Sequence, residues 1–261
     1  MIKILIAVHK PCELPEDGLY LPIQVDAAHN EHFLPCTDDE GDNISILNPK
    51  FCELTALYYG WKHLQTDHLG LVHYRRYLSL KGGDSLKEVL TLEQAEELFK
   101  RYRLLLPKKR HYYIESLYSH YAHTFDGRHL DIAREIIEEK YPEYLPSFDR
   151  VMKETSGYMF NMMAGEKELT DSYCTWLFPI LFELDKRIDS TSMTPFELRC
   201  IGRVAERLFN VWLDRQLQEG ALKKEEIREL PYVYLGKEPW LKKIGAFLSA
   251  RFLKKKYKKS F

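Results

Sequence analysis

Residues 70–79 read Gly70-Leu71-Val72-His73-Tyr74-Arg75-Arg76-Tyr77-Leu78-Ser79, an apolar run that passes directly into a histidine, two arginines and two tyrosines. The run has the length of a buried strand, and the pattern predicts one over Gly70–Leu78. Arginine keeps its charge at any working pH and presents a planar fork of donors that fits phosphate oxygens two at a time. In open α/β sheets ligands collect beyond the carboxyl ends of the strands, where Arg75 and Arg76 would stand. The segment therefore predicts an anion site. Its structural alternative is that both arginines pair with acidic neighbours on the surface.

Upstream, Ile2–Val8 is aliphatic with one lysine and suits a central strand, followed at once by His9 and Lys10. Asp38–Asn48 is rich in Asp, Gly, Asn and Ser and reads as a loop. Pro49 then opens a helix to about Leu64, with Leu54, Leu57, Tyr58 and Trp61 at helical spacing. The order strand, loop, helix, strand fits a parallel α/β sheet. Downstream the pattern predicts a helix over Thr91–Arg101 capped by Thr91, a strand at Leu104–Leu106 and a helical stretch rich in His and Tyr from Ser116 to about Lys140. A helix around Phe148–Lys153, a buried strand at Tyr158–Ala164 and an apolar helix near Tyr173–Arg187 follow. Thr194, Pro195 and Glu197 supply a cap, a first-turn proline and a capping-box acid for a last helix to about Leu217.

The 261 residues are 45% hydrophobic, with 17 Tyr and 13 Phe, which supports one large folded core and excludes a disordered chain. Five cysteines, an odd number with no C-x-x-C spacing, argue against a disulfide framework or a zinc knuckle. No stretch approaches the roughly 20 apolar residues that span a bilayer, and Met1–Val8 lacks the features of a signal peptide. A cytoplasmic protein is expected. The formal net charge of −1 conceals an asymmetry: from Trp240 onward there are eight Lys or Arg and no acid. That end also carries Trp240, Leu241, Ile244, Phe247, Leu248, Phe252 and Leu253, the pattern of an interfacial helix drawn to anionic lipid; a helix packed on the body or a solvated basic end are the alternatives. The acidic remainder argues against nucleic acid as a partner.

No G-x-G-x-x-G or Walker sequence is present, which removes the usual support for a dinucleotide enzyme or a kinase. His9 and Lys10 sit where a nucleotide-binding sheet would use them, and Asp42, Asn43 and Ser45 could read a base or ribose, although such clusters are commonly turns. His111, His120, His123 and His129 lie close in sequence. Their spacing is not that of a metal site, and contacts to sugar hydroxyls suit His120 and His123 better. Arg199, Arg203, Glu206 and Arg207 share one helix face, where ion pairing accounts for Arg203 with Glu206.

On these residues the chain resembles a bacterial family of capsular and exopolysaccharide glycosyltransferases, long filed as a domain of unknown function. The matching stretches are Tyr20–Gln24, Asp42–Ser45, Cys52–Lys62, His73–Tyr77 (His-Tyr-Arg-Arg-Tyr), Asn161 and Met162, Tyr173–Phe178, and Arg203–Leu208 with Trp212. They cover about residues 1–215.

The resemblance implies a GT-A-like, Rossmann-type α/β fold, a mixed sheet flanked by helices with helical insertions. The domain would span residues 1–235, with a basic amphipathic tail at 236–261. It implies transfer of a hexosyl unit, with galactofuranosyl, galactosyl and other hexoses left open, from a UDP-sugar donor to a lipid-linked glycan acceptor at the inner membrane face. A non-catalytic nucleotide- or glycan-binding subunit is the alternative, and a homodimer is left open. Where that fold carries metal-binding carboxylates, this chain has His73 and Arg75. Transfer without a metal cofactor is therefore expected, Arg75 and Arg76 neutralising the leaving nucleoside diphosphate. His9, Lys10, Asp42, Asn43, His73 and Tyr74 join them on the nucleotide-sugar side. His120, His123, Asn161 and Arg203 are expected on the sugar and acceptor side. The catalytic base is expected to be Asp131 or Glu206, with Glu197 already explained by a capping box.

Overall fold

The computed structural model describes residues 1–236, so the expected basic tail lies outside the described residues apart from Gly236. In chain order the strands are β1 (Ile2–Val8), β2 (Tyr20–Gln24), β3 (His68–His73), β4 (Arg76–Leu78), β5 (Leu104–Pro107), β6 (Arg110–His111), β7 (Ser156–Gly157), β8 (Met163–Glu166), β9 (Ile227–Leu230) and β10 (Tyr232–Tyr234). The helices are α1 (Asn48–Phe51), α2 (Leu54–His63), α3 (Leu92–Phe99), α4 (Leu117–Thr124), α5 (Arg128–Lys140), α6 (Leu145–Val151), α7 (Lys167–Arg187), α8 (Pro195–Leu198) and α9 (Cys200–Glu219).

The main sheet runs β2-β1-β3-β8-β5-β9, with β1, β2 and β3 mutually parallel and β5 parallel to β9. β8 is antiparallel to both β3 and β5, which makes the sheet mixed and leaves β5 pointing the same way as β3. β3 pairs with β1 up to His73, and with β8 only as far as Leu71. Beyond that point β4 folds back onto β3 through His73 and Arg76, and β10 pairs with β4. The predicted strand over Gly70–Leu78 is thus two strands separated by the turn Tyr74–Arg75. Gly70 allows the close approach of β3 and β8, since a Cβ there would lie 2.7 Å from the Ala164 Cβ.

Alternation along β1 divides the core. Leu5 and Ala7 pack with Leu69, Leu71, Leu104 and Leu106 against α2, α5, α7 and α9, while Ile4, Ile6 and Val8 pack with Val72, Leu105 and Ala164 against Leu90 and Ala95. The mixed α/β class is as expected. Three segments read as continuous are divided in the structure. The helix expected from Pro49 breaks at Cys52, where φ is 55°. The stretch 116–140 divides at Phe125–Gly127 into α4 and α5. The strand expected at Tyr158–Ala164 is interrupted by Phe160 and Asn161, at φ 76° and 52°. Each break is a positive-φ residue or a short turn that apolar periodicity does not register.

Candidate active site

The chain leaves β1, runs to β2 on one side, and returns as β3 on the other, so the strand order reverses between β1 and β3. Crevices at such reversals open beyond the strand ends and are where α/β sheets bind ligands. Here β1 delivers His9 and Lys10, and β3 delivers His73, Tyr74, Arg75 and Arg76. Tyr74 is the shared surface: the His9 ring meets it edge-on at 4.8 Å, Lys10 Nζ lies 5.9 Å from its centroid, and the Arg75 guanidinium 5.0 Å. Arg76 is held between the rings of Phe160 at 4.6 Å and Tyr234 at 4.8 Å. Among the described residues neither Arg75, Arg76 nor Lys10 has a carboxylate within ion-pair distance. The charges are therefore not spent on surface pairing.

Electrostatics confirm the crowding of positive charge. The His9 imidazolium is disfavoured first by burial and then by Lys10, Arg75 and Arg199. Arg76 is held below the usual guanidinium value by burial. His73 is likewise depressed by burial, with Glu53 opposing and Arg76 adding to the effect.

Behind the cations lies a clasp. His73 Nε2 donates to the Phe160 carbonyl at 2.5 Å and stands 3.6 Å from Glu53 Oε1. Asn161 Nδ2 donates to the same Glu53 oxygen at 2.7 Å and to the Gly202 carbonyl at 3.1 Å, while its Oδ1 is buried without a partner among the described residues. The left-handed backbone at Phe160 costs free energy that these bonds offset; such strain clusters at functional sites. Glu206, with a side chain only 5% exposed, accepts from Arg203 at 2.9 Å, from Arg207 at 2.7 Å and from the Phe160 amide at 3.3 Å. Burial alone would raise its pKa, but Arg203, Arg207 and Arg110 outweigh burial and hold the carboxyl below its usual range.

A second cluster sits at the same end of the sheet, past β5 and β6. Glu115 is 5% exposed and accepts from His120 Nδ1 at 2.9 Å and from His123 Nδ1 at 2.6 Å. His120 stacks on Tyr112 with centroids 4.0 Å apart.

Of the residues singled out from sequence, the structure gathers His9, Lys10, His73, Tyr74, Arg75 and Arg76 in the crevice, with Asn161, Arg203 and Glu206 directly behind. His120 and His123 belong to the separate Glu115 cluster. The structure does not bring Asp42, Asn43 or Asp131 to the crevice. Asp42 accepts from Tyr58 and lies near Lys62 in the body of α2, away from Glu53 at that helix's start. Asn43 spends its amide on the carbonyls of Asp39 and Gly41, shaping its own loop. Asp131, on an exposed turn of α5, accepts from the Tyr118 hydroxyl. Glu197 closes its capping box with Thr194. Sequence reasoning passed over Glu53, Glu115, Phe160, Arg110 and Tyr234. The one available signal was that Glu115 precedes a helix cap and two histidines at i+5 and i+8. Among the described residues no group of three or more His, Cys, Asp or Glu is disposed to hold a metal ion.

Fold and crevice define a class: a mixed α/β protein whose sheet reversal gathers cations that no carboxylate among the described residues pairs. The family model described as a domain of unknown function (DUF4422) matches residues 3–217, and the chain belongs to that family. Among solved structures, the apo form of WbbM, a bifunctional glycosyltransferase, superposes with a TM-score of 0.83 at 30% identity over 91% of this chain. The chain spans 46% of the length of that protein. A search of curated proteins gave no match. No helix among the described residues is long and apolar enough to cross a membrane.

Proposed function

We propose that the protein is a GT-A-like glycosyltransferase that moves a hexosyl unit, galactofuranosyl or galactosyl, from a UDP-sugar to a lipid-linked glycan acceptor in capsular, exopolysaccharide or O-antigen synthesis. The observation that carries this reading is the set Lys10, Arg75 and Arg76, at the β1/β3 reversal and without carboxylate partners among the described residues. Likeness to WbbM, described as a bifunctional glycosyltransferase, supports the reaction class.

In this reading the diphosphate enters the crevice and meets cations fixed in advance. As the bond from the anomeric carbon to the diphosphate oxygen breaks, negative charge grows on that oxygen. Arg75 and Arg76 stabilise it without reorganising, the service a divalent ion performs elsewhere, and the reaction needs no metal cofactor. His73, Glu53 and Asn161 keep the end of β3 and the 160–161 turn in register. Glu206, already bound by two guanidinium groups and an amide, serves as anchor for Arg203 and Arg207 and makes a poor proton acceptor. The acceptor is met at the inner membrane face, with the basic tail drawn to anionic lipid.

Calorimetric titration with UDP in the presence of EDTA is the test. Binding that survives EDTA and drops on Arg75→Ala supports the reading. Transfer abolished by EDTA and restored by Mn²⁺ overturns metal independence, and donor binding without turnover under any condition assigns the chain to a binding subunit instead.

A further inference from the structure

Direct transfer to a hydroxyl needs a group that takes its proton, and the carboxylates nearest the cations are already engaged. Glu206 has both oxygens held by guanidinium groups, and Glu53 Oε1 is held by Asn161. The Glu115 cluster differs. A carboxylate can only accept, so each Nδ1 that Glu115 binds is the protonated nitrogen of its ring, and Nε2 carries the lone pair. Burial alone would keep Glu115 protonated, but the hydrogen bonds from His120 and His123 outweigh it and hold the carboxyl below its usual range. His120 Nε2 has no hydrogen-bond partner among the described residues. The His120 side chain is 19% exposed, so the ring is not sealed in the core.

The ring is fixed on every side. The Ser116 capping box starts α4 just ahead of it, Glu115 grips Nδ1, and Tyr112 stacks beneath. Tyr112 is itself tied down by its amide, which donates to the Thr155 carbonyl at 2.7 Å. The charges that face His120 are Arg207 from α9 and Arg110 from β6, with Glu115 and His123 from its own segment. Burial first, and Arg207 next, push His120 down to about 4, against the pull of Glu115. The imidazole is thus neutral throughout the neutral range, which leaves its Nε2 lone pair free.

The location is also right. β5 runs parallel to β3, so β6 and the start of α4 rise from the same sheet end as Arg75 and Arg76. The charges of Arg207, Arg110, Glu206 and Arg203 act on Tyr112, and Glu206 acts on His73, which links the two clusters in one field.

We propose that His120 is the general base of the transfer, Nε2 taking the proton of the acceptor hydroxyl while Glu115 fixes the ring and its tautomer; this rests on the glycosyltransferase reading above. The acceptor O–H bond breaks with its proton going to Nε2, and the oxygen pair forms the new bond to the anomeric carbon. The bond from that carbon to the UDP oxygen breaks on the opposite face, and its electron pair leaves with UDP toward Arg75 and Arg76. Glu115 is a positioning residue.

Two measurements test this on the full chain. Nitrogen-resolved NMR of labelled histidine in the unaltered protein should show His120 as the Nδ1–H tautomer at neutral pH, and Glu115→Ala, which removes both acceptor oxygens, should abolish that preference. Transfer is then assayed with UDP-galactofuranose and UDP-galactose as donors and octyl galactoside as acceptor, beside calorimetric UDP binding and a thermal melt for each variant. His120→Gln should lower kcat by about 10²-fold, with UDP binding and the melt kept. Glu115→Gln should give a smaller loss of kcat and move the acid limb of the pH profile. An Nε2–H tautomer at neutral pH, undiminished kcat in His120→Gln, or a loss confined to Glu53→Gln overturns the proposal and leaves the transferase reading standing. Absence of both UDP binding and transfer in the unaltered chain overturns that reading, and the proposal with it.

Discussion

Two pairs of arginines lie close together and are held in opposite ways. Arg203 and Arg207 close on the buried Glu206 carboxylate, each binding one of its two oxygens. Arg75 and Arg76 rest on aromatic rings, Tyr74 for one and Phe160 with Tyr234 for the other. A ring fixes a guanidinium in place without neutralising it. Carboxylate pairing yields a rigid scaffold, and aromatic support yields a positioned cation with its charge still available.

The contrast breaks most severely at Glu206. Glu206→Gln removes the carboxylate that compensates the buried Arg207 and the partly exposed Arg203, which should cost about 3–5 kcal/mol. A thermal melt should show Tm lower by roughly 10 °C for a domain of this size. A melt unchanged by that substitution would mean that the clasp is not what holds α9 to the 160–161 turn.

Arg76→Ala should act the other way, with a small change in Tm but UDP affinity lower by about 10²-fold, as expected when a fixed partner of a desolvated anion is removed. Arg75→Ala, on an exposed side chain, should lose less affinity, leave the melt unchanged, and make UDP binding less sensitive to salt. Equal effects of the two Arg→Ala changes on Tm and affinity would erase the distinction drawn here.

Acid sharpens the comparison at a smaller scale. His73 and His120 are both held below the usual imidazole value, so the unfolded chain takes up protons first as the pH falls. Their contribution to stability is complete above about pH 6.5 and declines as pH falls toward the native values, which for His120 is about 4. Tm should therefore be several degrees lower at about pH 5 than at about pH 7, and His120→Gln should remove part of that dependence. The least effect is expected at Lys100, paired with Glu97 on the open face of α3. Lys100→Ala should leave Tm unchanged, because solvent and salt already screen such a pair.

Much of this was legible in the chain. Apolar β1 and β3, the cap of α3 and the capping box of α8 announced themselves, and the His-Tyr-Arg-Arg-Tyr run marked the crevice because charge seldom follows a buried strand so abruptly. The clasp was half legible, since Arg203, Glu206 and Arg207 fall on one helical stripe, yet their third contact is an amide set by the left-handed turn at Phe160. Glu53, more than a hundred residues from its partner Asn161, gave no local sign. Asp42 and Asp131 are instead taken up by the hydroxyls of Tyr58 and Tyr118, and Asn43 by carbonyls of its own loop, partners that the local sequence does not announce. The antiparallel course of β8 also escaped, because a short buried strand carries no mark of its direction.

Tyr234 has a consequence for how the protein comes into being. The ring that braces Arg76 arrives on β10, after nearly the whole sheet has been synthesised, while Arg76 itself leaves the ribosome in the first third of the chain. Early on the nascent polypeptide can build β1, β2 and β3 but not a finished crevice, and until β10 docks beside β4 one side of that guanidinium is open. The fully braced crevice therefore exists only once β10 has been made and has docked.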